Sequence, residues 1–237
     1  MNTYYFLKEL NLNENISDIQ GFSHSIIPKK PLKRIETVHI NLTKSEEELH
    51  QQLHRSNKKQ IKKASTKLLT IEVIDKPRYE DIRTFQKFYN QFAKNKNTYP
   101  CNYFHVHTMN MLIDKHALVI TRILNEESEI LCYRVYITDG ETAFSLYSAS
   151  FFNHKEKSEK KRLLSEANRY LLWQNILYFK KHNHKIYDMG GLTDNENIRK
   201  FKMEFGGEIT DVYSGYEAKS KVGQFVLWLR SKKMRKG

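Results

Sequence analysis

Cysteine is almost missing from this chain. Cys101 and Cys132 are the only two in 237 residues, which excludes a disulfide scaffold and suits a reducing cytosol. No apolar run reaches the length of a membrane span, and the opening MNTYYFLKEL has no uninterrupted hydrophobic stretch of the kind a secretory signal needs. A soluble, cytoplasmic protein is therefore expected. Neither G-x-G-x-x-G nor G-x-x-x-x-G-K-[ST] occurs, so dinucleotide and P-loop chemistry are unsupported. A G-x-S-x-G nucleophile elbow is also missing. His105-x-His107 and His182-x-His184 offer pairs of imidazoles but no third ligand at a recognised zinc spacing, and no metal is expected. One further absence is local: no acidic residue stands between Gln51 and Ile71.

What is present is charge and enough apolar mass to fold. A net charge of +13 and a pI of about 9.5 imply an anionic partner: nucleic acid, a phosphorylated sugar, coenzyme A or a membrane surface. A hydrophobic fraction of 39% supports a real core rather than wholesale disorder. Without repeats or an obvious linker, residues 1–237 are expected to form a single domain with its core at about 36–217. Glu36 to Asn41 alternates as a strand does. Ser45, followed by three glutamates, then starts a helix expected to run unbroken to about Lys67. Its second half carries Lys58, Lys59, Lys62 and Lys63 with no acid to pair them. That face is either simply solvated or lies against phosphate.

Further along, Leu68–Ile74 reads as a strand, and helices are expected from Pro77 to about Lys94 and over 102–115. The runs 117–124, 130–138 and 141–151, the last two joined at Asp139-Gly140, predict an antiparallel meander. Asn153 to Arg162 reads as a charged loop, Leu163 to Lys181 as a long helix, and Glu208 to Glu217 as the last strand. Seven basic residues and no acid follow from Lys219. They frame Phe225 to Leu229 in a helix that either docks on the core or meets anionic lipid or RNA.

The organising stretch is Tyr187-Asp188-Met189-Gly190-Gly191, a short buried strand ending at paired glycines, followed by Phe201-Lys202-Met203-Glu204-Phe205-Gly206-Gly207-Glu208. A helix between them would begin at Asn195, bury Ile198, Phe201 and Phe205 on one face, and end at the second glycine pair. Lys202, at the edge of that face, either snorkels or is aimed into a site. This pattern, Y-D-x-G-G then F-K-x-x-F-G-G-E, resembles the C-terminal signature of FemAB-like acyltransferases, a branch of the GNAT superfamily. The acid-started helix with R-S-N-K-K-Q-I-K-K-A resembles the same family's entry segment.

The resemblance implies an α/β (α+β), GNAT-like fold: a mixed, mostly antiparallel central sheet with helices on both faces. It implies acyl transfer to an amine or hydroxyl of a nucleotide- or lipid-linked sugar or peptide precursor in envelope polysaccharide or peptidoglycan assembly. Lys202 would stabilise the oxyanion, and Asp188 would orient the acceptor or take its proton, unless Asp188 only caps the glycine turn. Tyr147, Ser148 and Phe201 would line the substrate site, with Ser145 and Ser150 nearby, and Lys58, Lys59, Lys62 and Lys63 would bind phosphate. Acetyl-CoA-dependent GNAT enzymes carry a glycine-rich pyrophosphate loop, whereas His154 to Ser165 holds no glycine. The donor is thus acyl-CoA (acetyl-CoA foremost) held by Lys160, Lys161 and Arg162, with Lys155 and Lys157 beside them, or it is aminoacyl-tRNA. A peripheral contact with the inner membrane face is a further expectation. From a different class, a non-catalytic basic nucleic-acid-binding module is the remaining alternative.

Overall fold

The computed structural model describes residues 1–9, 17–151 and 157–234. It begins with three strands, β1 (Asn2–Tyr5), β2 (Ile19–Ser25) and β3 (Lys33–Asn41). Two helices follow where one was expected: α1 (Glu46–Gln52) and α2 (Arg55–Ser65). The start is the expected one, with Ser45 Oγ accepting from the Glu48 N–H at 3.1 Å and the Glu48 carboxylate accepting from the Ser45 N–H at 2.7 Å. The break comes at Leu53, whose backbone is extended, and His54, whose N–H donates to Glu204 O at 2.9 Å instead of continuing the helix. His54 then caps α2, its ring nitrogen accepting from Ser56 N–H.

After these come β4 (Thr70–Ile74), α3 (Tyr79–Lys96), α4 (Tyr103–Ile113) and the meander β5 (Leu118–Leu124), β6 (Ile130–Thr138) and β7 (Thr142–Ser150). The His105-x-His107 pair lies on α4, within the helix expected over 102–115. The long helix α5 (Ser158–Lys181) starts five residues before its expected first residue, so Lys160, Lys161 and Arg162 belong to its opening turns rather than to a loop. Lys155 and the first part of that expected loop, residues 152–156, lie outside the described residues. The chain closes with β8 (Ile186–Gly191), α6 (Glu196–Met203), β9 (Glu208–Ala218) and α7 (Lys221–Met234).

The contacts divide the chain into two compact units, where the sequence reading drew no boundary. The smaller gathers Met1–Val38, Gly191–Asp194 and Ile209–Gly237. Within it β1 and β2 pair in parallel and β2 pairs antiparallel with β9. On α7, Gly223 presses against Asp18, where a Cβ would lie 2.3 Å from the Asp18 carbonyl oxygen, while Val222, Phe225, Trp228 and Leu229 stay exposed. Among the described residues, no helix is long and apolar enough to cross a membrane.

The larger unit, His39–Gly190 and Asn195–Glu208, carries the strand order β8-β7-β6-β5-β4. Only β7–β8 is parallel in that set; the other pairs are antiparallel. Alternation along β6 sends its side chains to opposite faces. On one face Cys132 meets Leu164, Arg134 meets Asn168, and Tyr136 packs on Phe179, all from α5. On the other, Tyr133 packs edge-on to Phe85 and Phe88 of α3. This is the mixed, mostly antiparallel α/β layout with helices on both faces that the motif implied. The Cys132 thiol is fully buried against α5, and burial pushes its pKa up to about 12.

Two irregularities shape the end of this sheet. The β7–β8 ladder stops at Phe144–Asp188 although both strands run on. In β7, Ser145 faces Tyr136 while Tyr147 faces Val135, so Leu146 is an extra residue, a β-bulge that re-aims the strand.

Candidate active site

Where the β7–β8 ladder ends, a cavity of about 410 Å³ opens within the larger unit. Its strand side is Arg134 from β6, Ser145, Leu146 and Ser148 from β7, and Tyr187 and Met189 from β8. Asn168 of α5 closes one flank, and Asn197, Ile198, Phe201 and Lys202 of α6 form the other. The back of the cavity is stiffened by a buried polar chain. Tyr187 and Tyr136 share a hydrogen bond of 2.8 Å between their hydroxyls. Asn175 then donates to the Tyr136 oxygen at 2.7 Å and to Thr121 Oγ1 at 2.9 Å. Burial pushes the Tyr187 phenol well above its usual pKa, so it stays neutral.

The two glycine pairs set the position of α6. Gly190 has φ +80°, open to glycine at no steric cost, and its N–H donates to Asp188 Oδ1 at 2.8 Å. Asn195 caps the helix through the N–H groups of Asn197 and Ile198 at 3.1 and 3.2 Å. Asn195→Ala is expected to cost about 1 kcal/mol, read as a shift of the denaturant midpoint with an unchanged slope. Gly206 ends the helix at φ +83°, packed on Gln52 of α1. Glu204 is tied to α2, its carbonyl accepting from both the His54 N–H and Asn57 Nδ2. Asn57 in turn accepts from Arg169 Nε at 2.8 Å, and the Arg169 guanidinium lies over the Phe201 ring at 5.1 Å.

Lys202 reaches from α6 to the Gly190 carbonyl, donating at 2.8 Å. Burial, helped by repulsion from Arg134 and opposed by Asp188, lowers its pKa from 10.5 to about 8. Asp188 is 1% exposed, and its second oxygen lies 3.3 Å from His39 Nε2. Its carboxylate braces the glycine turn and balances Lys202 from behind the wall, and it is not among the residues lining the cavity.

The site residues expected from sequence separate into two groups. Lys202, Phe201 and Ser148 come together on the cavity, and Ser145 joins them. Tyr147 turns to the opposite face, packed on Phe85 and Tyr89 of α3. Lys59, Lys62 and Lys63 lie exposed on α2, whose buried side (Asn57, Ile61, Ala64) faces elsewhere, and Lys58 donates to Gln51 O. Lys160 sits over the Phe151 ring, 3.9 Å from Glu129, while Lys161 and Arg162 are exposed on α5. None of these basic residues lines the cavity. Ile198 was expected to be buried with Phe205. Phe205 is, but Ile198 is 42% exposed and forms cavity wall, because that part of the α6 face looks onto open space. Arg134, Asn168 and Asn197 were not foreseen. For Arg134 a signal existed: a lone arginine inside the apolar run ILCYRVYIT.

No protein-family model matches the chain, and no curated protein does. Solved structures do, in fold. A crystal structure of FemX superimposes with a TM-score of 0.62 at 12% identity, over 76% of this chain and 61% of that one. A C-terminal domain from Agrobacterium fabrum described as that of a lysylphosphatidylglycerol synthetase gives 0.55 at 11% identity, over 88% and 70%. L-PGS from Bacillus licheniformis gives 0.51 at 12%, over 84% and 66%. The chain thus spans less than two thirds of the FemX structure, and at these identities the likeness is one of fold.

Proposed function

We propose that this protein is an acyltransferase that moves an acyl or aminoacyl group from an activated donor onto an amine or hydroxyl. The observation that carries the reading is Lys202: a half-buried ammonium on a cavity wall, anchored to Gly190 O, in a fold shared with FemX. The acceptor attacks the acyl carbonyl, and the oxyanion that forms is stabilised by the Lys202 ammonium. The intermediate then collapses, expelling the donor's thiol or ribose oxygen, while the acceptor's proton passes to solvent. Asp188 acts indirectly, holding the turn that positions Lys202.

The donor we favour is an acyl-CoA, acetyl-CoA first, and the acceptor a nucleotide- or lipid-linked sugar or peptide of envelope assembly. Aminoacyl-tRNA is a second donor reading. Its support is the glycine-free opening of α5 together with Lys59, Lys62 and Lys63 exposed on α2, which suit a phosphate backbone. The basic, aromatic-bearing surface of α7 supports a peripheral contact with anionic lipid. Calorimetric titration with acetyl-CoA beside a charged-tRNA gel shift at physiological salt separates the donors. Saturable coenzyme binding selects the first and salt-resistant tRNA binding alone the second, while binding of neither removes both.

Because the mechanism needs Lys202 protonated, turnover is expected to hold from pH 6 to 7 and to fall as pH passes about 8. A rate that rises through that range would identify Lys202 as a base instead.

A further inference from the structure

Arg134 is a cation that the mechanism above does not use. It stands in mid-strand between buried Tyr133 and Val135, is 3% exposed, and lines the cavity. Nη2 donates to Asn168 Oδ1 at 2.9 Å, while the buried Nε–H meets no acceptor. Among the described residues no carboxylate forms an ion pair with it; Asp188 braces Gly190 and stands 3.3 Å from His39. A guanidinium cannot shed its proton to escape burial. An uncompensated buried charge is expensive, and so is a buried donor left unpaired. Evolution has few reasons to keep that cost inside a cavity other than a ligand that removes it. Of the other polar groups on the wall, Ser145, Ser148, Asn168, Tyr187 and Asn197 are neutral and Lys202 is a second cation, so the missing counter-charge has to arrive with the ligand.

We propose that the cavity holds its substrate by a small oxyanion, a carboxylate or phosphate monoester, seated on Arg134. The substrate class is then one in which the reacting group at Lys202 is carried by a molecule with an acidic terminus. Assigning that molecule as donor or acceptor rests on the acyl-transfer reading; the anion subsite itself does not.

The test is calorimetric titration of the full chain with glutarate, its neutral isostere glutaramide, and glycerol 3-phosphate. Saturable one-to-one binding of an anion is expected, with glutaramide at least tenfold weaker, and the preferred anion names the source. Binding is expected to persist at 0.2 M salt, unlike adsorption to the +13 surface, and Arg134→Gln is expected to weaken it at least tenfold. Glutaramide binding as tightly as the preferred anion, no binding of either anion, or an unchanged affinity in Arg134→Gln would each overturn the proposal. Should that variant fail to fold, the comparison of the preferred anion with glutaramide on the unaltered protein still decides. Anion binding without transfer from any donor would sink the acyltransferase reading and keep the subsite. Lys202-dependent transfer without anion binding would do the reverse.

Discussion

Replacing Lys202 by methionine is expected to lower acyl transfer by about 10²–10³-fold, the usual cost of removing one well-aimed oxyanion donor, while the chain stays folded. The stability side has a definite sign. The Lys202 pKa is depressed from 10.5 to about 8 in the folded protein. Between those values the unfolded chain therefore binds more protons. The half-buried ammonium costs stability below pH 8, and that cost is relieved as pH rises toward 10.5. Methionine removes the charge and loses the hydrogen bond to Gly190 O, so the melting temperature at pH 7 should not fall. The parent should gain on the variant as pH is raised. Paired melts and single-turnover rates check both halves. A folded variant that retains full activity would remove Lys202 from the chemistry.

The second large effect is structural. Gly206→Val is expected to destabilise the protein by about 3 kcal/mol, on the order of 10 °C in melting temperature. At φ +83° a side chain is strained from the outset, and a Cβ there would lie 2.5 Å from Gln52 Cβ and 2.8 Å from its carbonyl oxygen. Backbone atoms of α1 cannot step aside as the end of a long side chain can. Transfer should suffer as well, because Gly206 closes the helix that carries Lys202. Gly140→Val, at φ +88° with nothing within 4 Å of its Cβ, separates conformational strain from collision. The difference between the two variants measures the clash.

Local chemistry was the legible part of the chain. Ser45 and Glu48 announce a helix start from within four residues, and Asn195 with the two glycine pairs frames α6 in the same way. What escaped depends on partners distant in sequence. The break between α1 and α2 is made by Glu204, about 150 residues away, whose carbonyl takes the His54 N–H that an unbroken helix would have used. Tyr147 and Ser148 were both expected at the site, yet adjacent strand residues point to opposite faces. The bulge at Leu146 allows Ser145 and Ser148 onto the same face and sends Tyr147 to α3. Arg134 was readable as odd in an apolar strand, but its role depends on a cavity assembled from β6, β7, β8, α5 and α6. Charge counting pointed instead to the exposed lysines of α2 and α5. Those lysines stand outside the cavity, which draws on two cations that composition cannot single out.

The buried thiol of Cys132 turns the chain into its own unfolding clock. A cysteine shielded by α5, with its pKa near 12, offers an alkylating reagent almost no thiolate while the larger unit is closed. Cys101 is buried in the same unit. Labelling therefore proceeds only through opened molecules, and its rate at fixed reagent reports how often the core beneath the cavity comes apart. A ligand that seats in the cavity should slow that clock in proportion to its occupancy, with no probe introduced and no product to detect.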